Sequence, residues 1–99
     1  MSFIDYTYEW LEQNRGALAR GGALSVSDSA ETRPKRVVYI AVQGTARFAE
    51  IILWETGEAE FGFGANAGEK FDEHHDLIDT AELGQLLARF LARVKEFRP

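Results

Sequence analysis

The chain has 99 residues, 45% of them hydrophobic, with 11 lysines and arginines against 16 aspartates and glutamates, for a net charge of −5. That length suits one domain over residues 1–99 with a single core, and the lack of cysteine excludes disulfides and thiolate metal sites. The acidic balance argues against nucleic acid as the main partner and suits a basic protein surface, and no apolar run approaches the ~20 residues that span a membrane.

The N-terminus (MSFIDYTYEW) is acidic and aromatic, without the basic start and continuous apolar run of a signal peptide. A small domain without disulfide staples is typical of the cytoplasm, which is the expected location. Ser2 with Asp5 three residues later reads as a capping box. It opens a helix whose apolar stripe is Phe3, Ile4, Trp10, Leu11 and Leu18, closed by Gly21-Gly22. Residues 23–29 (ALSVSDS) alternate weakly, as a candidate first strand, and residues 30–35, containing Pro34, read as a loop.

Residues 36–43 (RVVYIAVQ) are rich in β-branched side chains and predict a strand. Gln43-Gly44-Thr45-Ala46 turns the chain into a second strand at 47–55, and Glu55-Thr56-Gly57 turns it into a third at 58–64. Residues 65–68 form a glycine-bearing loop, and residues 69–75 are a candidate short edge strand. Asp79 with Glu82 is a second capping box. The helix it opens carries Leu83, Leu86, Leu87, Phe90, Leu91, Val94 and Phe97 at spacings of three and four. Arg89, Arg93, Lys95 and Arg98 lie towards its C-terminal end, where positive charge suits the dipole. The fold class is α+β, a four-stranded antiparallel meander flanked by an N-terminal and a C-terminal helix (α-β-β-β-β-α).

The segment RFAEIILWETGEAEFGFG is apolar on both parities, unlike a strand with one wet face. If Gly44-Thr45 is a two-residue turn and Glu55-Thr56-Gly57 a three-residue turn with Gly57 left-handed, one face collects Val38, Ile40, Val42, Ala49, Ile51, Leu53, Ala59, Phe61 and Phe63. The other then carries Val37, Tyr39, Phe48, Glu50, Ile52, Trp54, Glu58 and Glu60. A two-residue turn at Thr56-Gly57 would instead put Trp54 with Phe61 and Phe63. The first register gathers every alternating apolar set on one side. It leaves Trp54, Tyr39, Phe48 and Ile52 as an aromatic patch ringed by Glu50, Glu58 and Glu60. Either the N-terminal helix covers this patch, which two helices and one sheet make easy, or the patch is an exposed binding face.

Signals of chemistry are weak. His74 and His75 lie within Asp72-Glu73-His74-His75-Asp76. Adjacent histidines on extended backbone point to opposite faces, so a solvated acidic loop is the better account than a metal site. Gly62-Phe63-Gly64 lacks the third glycine and following helix of a dinucleotide loop, and reads as relief of crowding at a sheet edge. Glu58-Ala59-Glu60 spells the Glu-x-Glu pair of many ADP-ribosyltransferases, without a nucleophile or base beside it. Arg33, Lys35 and Arg36 are too short a basic cluster for a nucleic-acid stripe. No catalytic residue, metal or cofactor is expected, and the chain is expected not to be an enzyme.

The helix segment Glu9-Trp10-Leu11-Glu12-Gln13-Asn14, the strand and turn AEIILWETG at 49–57 and the closing helix at 81–97 together resemble the TriTu-type immunity proteins of bacterial polymorphic toxin systems. The resemblance covers nearly the whole chain. It implies a cytoplasmic antidote encoded beside an Rhs-type toxin delivered by type VI secretion. It also implies that the toxin is an ADP-ribosyltransferase that modifies elongation factor Tu. The expected partner is the cognate toxin domain, met through its basic active-site surface in a one-to-one complex, with no nucleic acid and no membrane. Only Trp54, Glu55 and Gly57 carry over from the matching turn. On charge and exposure the candidate toxin contacts are Tyr39, Glu50, Trp54, Glu55, Glu58 and Glu60, with Asp72, Glu73 and Asp76 on the following loop as a second acidic edge. An effector-specific chaperone or adaptor for a secretion system is the alternative, and an inhibitor of a hydrolase or nuclease a third.

Overall fold

In the computed structural model, which describes residues 1–29 and 35–97, a helix stands at each end of an antiparallel sheet. The order is α1 (Phe3–Gly21), β1 (Ala23–Asp28), β2 (Val37–Gln43), β3 (Arg47–Trp54), β4 (Glu58–Ala65), β5 (Lys70–Asp76) and α2 (Thr80–Lys95). The sheet has five strands in the sequential order β1-β2-β3-β4-β5, which corrects the expected four. Both weakly marked stretches pair: β1 with β2 from Ala23↔Gln43 to Asp28↔Val38, and β5 with β4 from Gly64↔Lys70 to Glu58↔Asp76. Backbone pairing holds an edge strand even where its side chains show no apolar alternation. Most of the expected loop at 30–35, with Arg33 and Pro34, and Arg98 of the last helix lie outside the described residues.

Both helices are capped as their sequences dictate. Ser2 Oγ accepts from Asp5 N at 3.0 Å, and Asp79 Oδ1 from Glu82 N at 2.9 Å. Glu82 returns a bond to Ile78 N at 2.7 Å, one residue before the cap. Within α1, Ile4, Thr7, Leu11 and Leu18 are buried, and Thr7 Oγ1 donates to Phe3 O at 2.9 Å, so its hydroxyl is satisfied. In α2 the buried set is Leu83, Leu86, Leu87, Phe90 and Val94.

The number of strands sets the direction of the helices. Five antiparallel strands between them return the chain to its starting direction, so α1 and α2 run parallel, whereas an even count would oppose them. The contacts follow that order along both helices, with Tyr6 against Gly84, Trp10 against Phe90 and Gly21 against Val94. α1 lies over β1 and β2, and α2 over β3. Further cover comes from arginine stems of α2: the Arg89 guanidinium lies 5.4 Å from the Phe61 ring centroid and that of Arg93 4.0 Å from Phe63.

All the sheet residues of the core come from one face: Val38, Ile40, Val42, Ala49, Ile51, Leu53, Ala59 and Phe61, with Phe63 packed at its margin. This is the face collected by the three-residue β3–β4 turn. Gly57 there has φ +97°, and Leu53 pairs with Ala59. The β2–β3 turn is placed one residue later than expected. Gln43 pairs with Phe48 and Gly44 N donates to Arg47 O at 2.8 Å, so Thr45-Ala46, not Gly44-Thr45, make the turn. That shift moves the pairing by two residues and leaves every side chain on its expected face.

Candidate functional site

Both helices pack on the Val38–Ile51–Phe61 side, so among the described residues the opposite face of the sheet has no helix on it. The arrangement in which the N-terminal helix covers Trp54, Tyr39, Phe48 and Ile52 is therefore overturned. Each strand contributes alternate residues to the uncovered face. In cross-strand order, Val37 lies opposite Trp54, Tyr39 opposite Ile52 and Gln43 opposite Phe48. Ile52 then lies opposite Glu60, and Glu60 opposite His74. All four apolar side chains are half-buried, and Tyr39, Ile52 and Trp54 border a shallow hollow beside Ser27.

The carboxylates around this patch are held in small ionic clusters. Lys70 Nζ sits 3.2 Å from Glu50 and 3.7 Å from Asp72, and 5.9 Å from the centre of the Phe48 ring. Its pKa is raised, first by the bond to Glu50 and then by the charges of Glu50 and Asp72. Tyr39 donates to Glu50; burial first, and then that bond, raise its phenol pKa. Gly62 lies beneath: a Cβ there would stand 2.9 Å from Asp72 Oδ1 and 3.1 Å from Glu50 Cγ. The glycine that reads as relief of crowding is thus what lets this cluster lie flat on the sheet.

The rest of the rim follows the same pattern. Lys35 Nζ approaches Glu58 at 3.1 Å, and His74 stands between Asp76 at 3.1 Å and Glu60 at 3.8 Å. Glu55, in the β3–β4 turn, accepts from Arg36 N at 3.1 Å and so ties the turn to the start of β2.

Of the residues singled out in the sequence, Tyr39, Glu50, Trp54, Glu58, Glu60, Asp72 and Asp76 share this face, with Glu55 at its rim. Glu73 does not. Asp72, Glu73 and Asp76 belong to strand β5 rather than to a loop, and Glu73 pairs with Phe61 on the helix side. There it meets Arg89 at 2.8 Å and His75 at 3.0 Å. These bonds, Arg89's foremost, hold its carboxyl well below the usual range, at about 2. His74 and His75 accordingly point to opposite faces, and among the described residues no group of three metal-ligating side chains assembles. Sequence reasoning missed Lys70 and His74 as members of the face. Strict alternation along β5 would have found them, since Lys70, Asp72, His74 and Asp76 share one parity.

An uncovered sheet of half-buried aromatics with a carboxylate rim is suited to binding another protein, with Trp and Tyr as anchors. A family model described as the immunity protein TriTu matches residues 5–93, from the first turn of α1 to the last turns of α2. No curated protein and no solved structure matches the chain.

Proposed function

The chain belongs to the TriTu immunity protein family, and from that premise we propose that it neutralises a cognate secreted ADP-ribosyltransferase, one that modifies elongation factor Tu, by laying the uncovered sheet face over the toxin's NAD cleft. The observation that carries this reading is the face itself: Trp54, Tyr39, Phe48 and Ile52 unshielded by either helix, and bordered by Glu50, Glu55, Glu58, Glu60, Asp72 and Asp76. A transferase that grips the phosphates of NAD presents cations in its cleft, and an acidic face complements them and speeds encounter. Lys35 and Lys70 do not bar such a partner. Exposed ion pairs contribute only about 0–1 kcal/mol each, so exchanging Glu58 from Lys35 to a partner's arginine costs little, and Lys70 is itself half exposed and free to swing away as a partner arrives. Contact through this face does not include Glu73, which lies behind it.

In this reading the chain works in the cytoplasm as a non-catalytic inhibitor, one copy per toxin domain. The experiment is co-expression with the toxin encoded beside it, purification of the complex, and measurement of NAD turnover with and without the chain. A stable complex with NAD turnover suppressed is expected. A complex that keeps full transferase activity would make the chain an adaptor instead, and no complex would remove the assignment.

A further inference from the structure

The two edges of the sheet differ in character. β5 carries Lys70, Asp72, Glu73 and Asp76, charges that discourage a further strand from adding. β1, at the other edge, reads Ala23-Leu24-Ser25-Val26-Ser27-Asp28, with no lysine and no proline. Its one carboxylate, on Asp28, is engaged by Arg36 at 2.7 Å and by Tyr8 at 2.6 Å. Ser29 N donates to Val37 O, so by alternation the odd residues of β1 bond to β2 and Leu24 and Val26 turn their backbone donors and acceptors outward, where among the described residues no further strand pairs with them.

We propose that β1 pairs antiparallel with β1 of a second copy about a two-fold axis at Ser25, joining two sheets into one. The register follows from the faces. Leu24 and Val26 are partly buried on the helix side, while Ser25 and Ser27 are exposed on the other, so only pairings that keep like faces together are allowed. Centred on Ser25, the ladder sets Leu24 against Val26, Ser25 against Ser25 and Ala23 against Ser27. Asp28 falls opposite Gly22, and no like charges meet. Centred on Val26, the ladder would bring Asp28 opposite Leu24; centred on Leu24, it would run Ser27 against Gly21 at the end of α1. The strand is thus complementary to itself in one register. The second copy also supplies apolar neighbours that Leu24 and Val26 lack at the edge of the core. The two-fold axis stands perpendicular to the joined sheet, so both Trp54 faces lie on the same side and stay open.

The test is sedimentation equilibrium of the chain alone, without any toxin. The wild type is expected to rise towards twice 11.1 kDa, with a dissociation constant of about 10–100 μM, as suits a small interface. Ser25→Lys sets two ammonium groups face to face in the dimer, while its exposed position spares the monomer, which an unchanged thermal midpoint checks. That variant is expected to stay at the monomer mass, its dissociation constant raised at least about tenfold. Asp72→Lys, on the β5 edge, is expected to dimerise like the wild type. A wild type that remains monomeric up to about 500 μM, or a Ser25→Lys variant that dimerises as well as the wild type, overturns the proposal. A monomeric wild type whose Ser25→Lys variant loses the toxin would give the edge to a strand of the toxin instead, which also overturns it.

Discussion

Leu53 stands directly opposite Ala59 in the β3–β4 ladder, both fully buried beneath the helices. Three residues, Glu55, Thr56 and Gly57, remain to turn the chain between Trp54 and Glu58. Side chains alternate along a strand, so the burial of Leu53 commits Trp54 to the face that no helix covers. The position of this aromatic anchor is thereby fixed by its neighbour.

Truncating that anchor separates folding from binding. Trp54→Ala is expected to cost about 1 kcal/mol of stability or less, against about 3–5 kcal/mol for Phe61→Ala in the core. Binding of the toxin should weaken by at least about 30-fold, as expected when a central aromatic is lost from an interface. Chemical denaturation and titration calorimetry on the same sample check both. A stability loss as large as that of Phe61→Ala would refute the exposed placement.

Reversing charge on the rim tests the electrostatic half of the reading. Glu58→Lys with Glu60→Lys is expected to weaken toxin binding more than about tenfold, with a slower association rate that approaches the wild type's as salt is raised. Both side chains are nearly half exposed, so the fold should tolerate the change. Stopped-flow association at two ionic strengths decides it, and equal rates would remove these residues from the interface.

The β3–β4 turn depends on its glycine. Gly57 has φ +97°, and a Cβ there would stand 2.8 Å from Leu77 O and 2.9 Å from the Phe3 ring. Gly57→Ala therefore meets backbone strain and two packed neighbours at once, and should destabilise by about 1–3 kcal/mol. For a chain of this size that lowers the melting midpoint by roughly 4–8 °C per kcal/mol. Calorimetry that finds no shift would contradict the three-residue turn.

Glu73 sets an acid dependence of stability and not of binding. Its folded pKa is about 2 against an ordinary 4.5, held down by the bond from Arg89 and then by that from His75. A depressed carboxyl stabilises the fold above pH 4.5, and that contribution is lost as pH falls from 4.5 through about 2. Its side chain is about a third exposed, so solvent screening reduces the contribution to about 1 kcal/mol. Glu73→Gln should remove this part of the acid limb in denaturation curves taken between pH 5 and 2. It should leave toxin affinity within about twofold, because the side chain lies on the helix side.

Much of the fold was legible because it rests on local rules. The caps at Ser2 and Asp79, the stripe from Leu83 to Val94, and the alternation Val38-Ile40-Val42 and Ala49-Ile51-Leu53 depend on residues a few positions apart. Local spacing also survived an error: placing the first turn at Gly44-Thr45 moved the register by two, and parity was unharmed. The ends of the sheet were harder to read. In β5 the run Asp72-Glu73-His74-His75-Asp76 is polar on both faces, because at an edge one side meets solvent and on the other Glu73 bonds to Arg89 and His75. The last strand leaves no apolar period, so residues 69–75 read only as a candidate, and the parallel course of the two helices, which depends on counting it, did not follow.

The sequence by itself determined where both helices begin and which side chains alternate within each strand, and it favoured, over a two-residue turn, the register in which Gly57 is left-handed. It could not say which face is covered. Residues 47–54 are apolar on both parities, so period two sorts Trp54 from Leu53 without saying which of them meets water. Only the tertiary structure decided that, by laying both helices over Val38, Ile51 and Phe61 and neither over Tyr39 and Trp54. Burial is a relation between elements distant in the chain, whereas alternation is a property of one strand.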